Sequence, residues 1–73
     1  MTNLVLLQAQ QLNFPCRQDD AGNWQILPLR SQERWQLNNL EGRWVLDIAG
    51  VPQIRLSPQE AIKFLLNQAR SSQ

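Results

Sequence analysis

From Glu33 to Leu56 apolar and polar residues alternate with a period of two, broken only by two short glycine-bearing stretches, and this pattern narrows the possible folds more than any other feature. Trp35 and Leu37 fall on one side of a first strand, with Arg34 and Gln36 on the other. Trp44, Leu46 and Ile48 fall on one side of a second strand that runs through Arg43-Trp44-Val45-Leu46-Asp47-Ile48-Ala49. Asn39-Leu40-Glu41-Gly42 reads as a four-residue turn between them, which pairs residue 38 with 43, 37 with 44, 35 with 46 and 34 with 47. That register sets Trp35, Leu37, Trp44, Leu46 and Ile48 on one face and Arg34 against Asp47 on the other. At Ala49-Gly50-Val51, a two-residue type I′ turn would force a positive φ on Ala49, so a three-residue loop is expected. Leu46 then pairs with Ile54 and Trp44 with Leu56, and Pro52 begins an edge strand where its missing donor does no harm.

A helix follows. Ser57-Pro58-Gln59-Glu60 supplies an N-cap, a proline at the first helical position and a capping-box glutamate. Ile62, Leu65, Leu66 and Ala69, widened by Ala61 and Phe64, form an apolar stripe, while Gln59, Lys63, Asn67 and Arg70 face away. The helix is expected over 58–70, packed by one face on the sheet. A further strand is expected from Trp24 to Leu29, after the turn Asp19-Asp20-Ala21-Gly22-Asn23, with Pro28 marking it as an edge and its register open. Val5, Ala9 and Leu12 have helical spacing, so Leu4 to Asn13 is read as a short helix ending near Phe14-Pro15, with a strand as the alternative. The chain is thus predicted to be one small α+β domain over 1–73: a three- to four-stranded antiparallel meander (about 24–56), a C-terminal helix on one face and a short N-terminal helix.

With 73 residues, a single cysteine and no histidine, the chain gains nothing from internal disulfides or ordinary zinc sites, so a partner subunit is the remaining external support for a small core. The lone Cys16 points to a reducing compartment, and the cytoplasm is the expected location. No basic n-region precedes the short run Leu4-Val5-Leu6-Leu7, and no apolar segment has the length of a membrane span, so neither export nor a membrane is expected.

Chemistry-bearing groups are sparse. Histidine and tyrosine are absent, and each of Asp19, Asp20, Glu33, Glu41, Asp47 and Glu60 has a local reading in a turn, a cross-strand pair or a cap. No stretch has the several glycines and the lysine of a phosphate-cradling loop. No catalytic role, cofactor or metal is expected. Cys16, without a base, reads as a small packed side chain. Net charge is +1, far from the strongly basic balance of dedicated nucleic-acid binders, yet six of the seven basic residues are arginine, which suits interfaces.

The expected working surface is the sheet face turned away from the C-terminal helix. It carries Arg34, Gln36, Arg43, Val45, Asp47, Gln53 and Arg55, with Leu27 and Leu29 at its margin, and Trp24 is the tryptophan expected to be exposed. The function expected is that of a small non-catalytic accessory or regulatory protein acting by protein–protein binding, with a homodimer as one form. The alternative is an RNA or single-stranded DNA binder that uses Arg34, Arg43 and Arg55 on the same face. Both fail if the N-terminal helix covers that face.

Overall fold

The computed structural model describes residues 3–71. In chain order these form α1 (Leu4–Gln11), β1 (Cys16–Gln18), β2 (Trp24–Ile26), β3 (Trp35–Leu40), β4 (Arg43–Ile48), β5 (Val51–Leu56) and α2 (Pro58–Ser71). The strands make one antiparallel meander in the order β1-β2-β3-β4-β5. The α+β architecture is the one the sequence predicts, with a fifth strand added. That strand is β1, and its pairing (Cys16 with Ile26, Gln18 with Trp24) makes β2 an inner strand rather than an edge. Pro28 lies beyond the end of β2, where it removes no ladder bond.

Each helix starts on a side-chain cap. At the start of α1 the Asn3 Oδ1 accepts from the backbone N–H groups of Val5 (3.1 Å) and Leu6 (3.3 Å). At its end Asn13 adopts a left-handed φ of 68°, its N–H donates to the Gln10 carbonyl, and the Phe14 N–H donates to that of Ala9. This pair of bonds is a Schellman closure, and it turns Phe14 back into the core. The first segment is therefore a helix.

In α2 the Glu60 N–H donates to Ser57 Oγ (3.2 Å) and the Ser57 N–H donates to Glu60 Oε1 (3.0 Å), a reciprocal capping box. The Ser57 backbone donor, and then the Ser57 side chain, hold the Glu60 carboxyl below its usual range. The stabilisation this shift gives is complete above the unfolded-state value and is lost as pH falls through the lowered folded one. Ser57→Ala is expected to cost about 1 kcal/mol in urea denaturation; an unchanged midpoint and slope would leave the cap without energetic weight.

Both β-hairpin turns are tighter than the sequence predicts. Glu41-Gly42 (φ 52° and 80°) and Ala49-Gly50 (φ 54° and 82°) are two-residue turns with positive φ at both positions, the type I′ signature that matches strand twist. The first corrects the β3–β4 register by two residues: Trp35 pairs with Ile48, Gln36 with Asp47, Leu37 with Leu46 and Asn38 with Val45. Arg34 does not face Asp47. A shift of two preserves the faces, which is why the alternation still assigns them correctly. The second corrects the expected three-residue loop, although Leu46 still pairs with Ile54 and Trp44 with Leu56. Ile48 pairs with Val51 and Asp47 with Pro52, so Gln53 is an extra residue on β5 that restores the register beyond it. Ala49 thus adopts the left-handed conformation that a three-residue loop would avoid. Ala49→Asn should relieve it, raising stability by up to about 1 kcal/mol in thermal denaturation; a lowered midpoint would show that Ala49 carries no strain.

The core lies between one sheet face and both helices. Val5, Leu6 and Ala9 of α1 and Ala61 and Leu65 of α2 pack in a single cluster with Ile26, Trp35, Leu37 and Trp44. The Trp35 ring meets Phe14 edge-on at 5.7 Å and Phe64 at 4.9 Å, joining the end of α1, β3 and α2. Its indole N–H donates to Glu33 Oε2 at 3.0 Å. Leu66, expected in the apolar stripe, is exposed, as is Ile48 on the helix side near the Ala49-Gly50 turn.

Candidate functional site: the helix-free sheet face

Because α1 and α2 share one side of the sheet, the other side carries no helix. Cross-strand pairing lays out its side chains in rows. One row crosses all the strands: Arg17, Gln25, Asn38, Val45 and Arg55. Beside it toward the Glu41-Gly42 turn lie Leu40 and Arg43, a directly paired couple, and on the other side lie Gln36, Asp47 and Pro52.

Of the residues expected here, Arg43, Val45 and Arg55 are brought together, while Gln36 shares the face but lies on the Asp47 side of the Val45 row. Val45 pairs with Arg55, and Arg43 is the next residue on the same face of β4. Arg34 is not part of this group. The Ala49 N–H donates to its carbonyl (2.9 Å), which fixes it beside the far turn. That is six residues along the strand direction from Arg43, roughly 20 Å. Arg34 is exposed, but it stands apart from the other two. Trp24 is placed on the helix side by its alternation with Gln25, half-buried and packed against the core cluster. Gln53 is exposed and is the extra residue of β5.

The sequence reading missed Asn23, Leu40 and Arg17. Asn39-Leu40-Glu41-Gly42 reads as a turn, which hides Leu40, and Arg17 sits on a strand too short to show any alternation. With the two-residue turn, Leu40 becomes the last residue of β3 and is 43% exposed opposite Arg43. Asn23, Leu40, Glu41, Arg43, Val45 and Arg55 line an open depression of about 620 Å³. Leu40 and Val45 give it an aliphatic contribution, and Arg43 and Arg55 bring two guanidinium groups to a lining that is otherwise Asn23 and Glu41. Among the described residues neither Arg43 nor Arg55 is held by a carboxylate, whereas the Arg17 Nε donates to Gln25 Oε1 at 2.8 Å.

Next to the depression lies a buried polar pair. Asn38 and Asp47 are 9% and 8% exposed, and the Asn38 amide Nδ2 donates to Asp47 Oδ2. The Gln36 amide donates in turn to Asn38 Oδ1 at 3.4 Å. The other Asp47 oxygen, Oδ1, is buried with no partner. Asn38 stands in the middle strand between Gln25 and Val45, and Gln36 and Leu40 flank it along the strand. All four are larger or longer than Asn, and they shield it without any help from a helix.

No group of three or more His, Cys, Asp or Glu side chains gathers among the described residues. Cys16 is half-buried on the helix side, opposite Ile26, and burial pushes its thiol pKa up. That is the behaviour of a packed side chain and not of an activated nucleophile. Among the described residues no helix is long and apolar enough to cross a membrane. No family model, no curated protein and no solved structure matches this chain.

Proposed function

We propose that this chain is a non-catalytic binding module whose partner is another protein and whose working surface is the helix-free sheet face. The observation that carries this reading is the corner of that face where exposed Leu40 and half-buried Val45 adjoin two guanidinium groups that, among the described residues, have no carboxylate partner. Interfaces are enriched in arginine and centre on apolar contacts, and this corner sets two arginines beside aliphatic side chains. A second copy of the chain is one form such a partner takes. The nucleic-acid alternative uses the same cations but lacks a stacking platform, because Trp24, Trp35 and Trp44 all lie on the helix side.

A photo-crosslinking residue at Leu40, introduced into the tagged chain and irradiated in its own cell extract, tests this. A protein adduct that survives nuclease is expected, together with its loss in the Arg43→Gln/Arg55→Gln variant. That variant should keep its stability within about 0.5 kcal/mol, because both side chains are exposed. An adduct destroyed by nuclease would favour the nucleic-acid reading. Adducts formed only from a crosslinker at Ile54 would move the interface to the helix side.

A further inference from the structure

The geometry of the Leu40–Arg55 corner specifies a partner chemistry, and this inference rests on the reading just given. Arg43 and Arg55 are diagonal neighbours across β4 and β5, since Arg55 pairs with Val45 and Arg43 lies two residues along from it. Diagonal positions in an antiparallel pair are about 7 to 8 Å apart. Alternate residues on one side of an extended peptide are about 6.5 to 7 Å apart. Two carboxylates at i and i+2 of an extended segment therefore match the two arginines, each meeting a planar fork suited to a bidentate carboxylate. Val45 adjoins this diagonal, and Leu40, paired with Arg43 on the side away from β5, offers an aliphatic contact to the next inward-facing side chain beyond Arg43.

Charge complementarity points the same way. Arg17, Arg34, Arg43 and Arg55 are all exposed and belong to this side of the sheet. Asp47 is its one carboxylate among the paired strand residues, and it is buried and bonded to Asn38. Glu41, on the rim of the depression, contributes a single opposing charge. We infer that this corner docks an acidic, extended segment of a partner protein, with two carboxylates at alternate positions on Arg43 and Arg55 and the next inward-facing, aliphatic side chain on Leu40. Nucleic-acid phosphates carry a similar charge, but the residues lining the depression include no aromatic ring for a base to stack on.

The test uses the whole chain and a synthetic Glu-Thr-Glu-Thr-Leu-Thr peptide, with a Gln-Thr-Gln-Thr-Leu-Thr peptide and an oligothymidylate as comparison probes. NMR titration follows the backbone and methyl signals of Leu40 and Val45 and the side-chain Nε signals of Arg43 and Arg55. The Glu peptide is expected to shift all four residues and to bind at least about tenfold more tightly than the Gln peptide. Arg43→Gln/Arg55→Gln should remove that preference, and Arg34→Gln, at the far end of the face, should keep it. Each variant is checked first for native amide dispersion, so a loss of binding is not a loss of fold. Equal binding of the Glu and Gln peptides, no shifts with either, or tighter binding of oligothymidylate than of the Glu peptide each overturns the inference. Failure here alongside a nuclease-resistant protein adduct from Leu40 removes only the acidic chemistry. Failure in both experiments removes the face as a protein-docking surface.

Discussion

Trp44→Ala unfolds or nearly unfolds the chain. Trp44 is 1% exposed and among the largest fully buried side chains, and it stands on β4 between Asn39 and Leu56 under the helices. Removing a buried tryptophan costs about 3 to 5 kcal/mol, because the contacts it fills are not recovered by collapse. A domain of 73 residues has a total stability on the order of 4 to 11 kcal/mol. The loss takes from about a third of this margin to all of it, and far-ultraviolet circular dichroism in a urea series should show a midpoint moved far down, to a mostly unfolded baseline in buffer where the margin lies at its lower end. A folded variant with a midpoint near that of the parent chain would take Trp44 out of the core and reverse the two faces of the sheet.

The second large effect comes from the other face. Asn38→Leu should cost about 3 kcal/mol, because it deprives Asp47 of its bond from Asn38 while leaving the carboxylate buried. The Oδ1 atom already lacks a partner, so the site has no reserve of donors. Replacing both residues by leucine should recover most of the loss, since a buried polar pair exchanged for apolar packing is often neutral or better. The four chains form a double-mutant cycle in which the coupling is the measured quantity. If the two single changes simply add, Asn38 and Asp47 do not act as a pair.

The parts of this fold legible in the sequence were those carried by short-range periodicity. Trp35, Leu37, Trp44 and Leu46 were assignable to one face because alternation survives any even shift of register, and α2 was legible because its cap and stripe are contiguous. Register itself depends on turn conformation. Glu41 and Ala49 adopt left-handed φ values that neither residue advertises, and this is what displaced Arg34 from the site and returned Leu40 to it. β1 was invisible because Cys-Arg-Gln has no apolar rhythm and becomes a strand only through its bonds to β2. Within the candidate site, Gln36, Arg43, Val45 and Arg55 were readable from alternation alone. Asn23 and the guanidinium–aliphatic corner needed the corrected turn.

The extra residue Gln53 and its neighbour Pro52 have a consequence for how the chain behaves in a crowd. β5 is the longer of the two outermost strands, and nearly all of it is exposed, with Val51 and Ile54 among its side chains. A strand of this composition, left straight, is a template on which other copies can stack into fibres. Proline withholds an amide from that template, and the inserted glutamine bends its backbone out of line a residue later. Both features work against extending the sheet from this side through the shape of the main chain itself, beside which the aliphatic side chains Val51 and Ile54 stay uncovered.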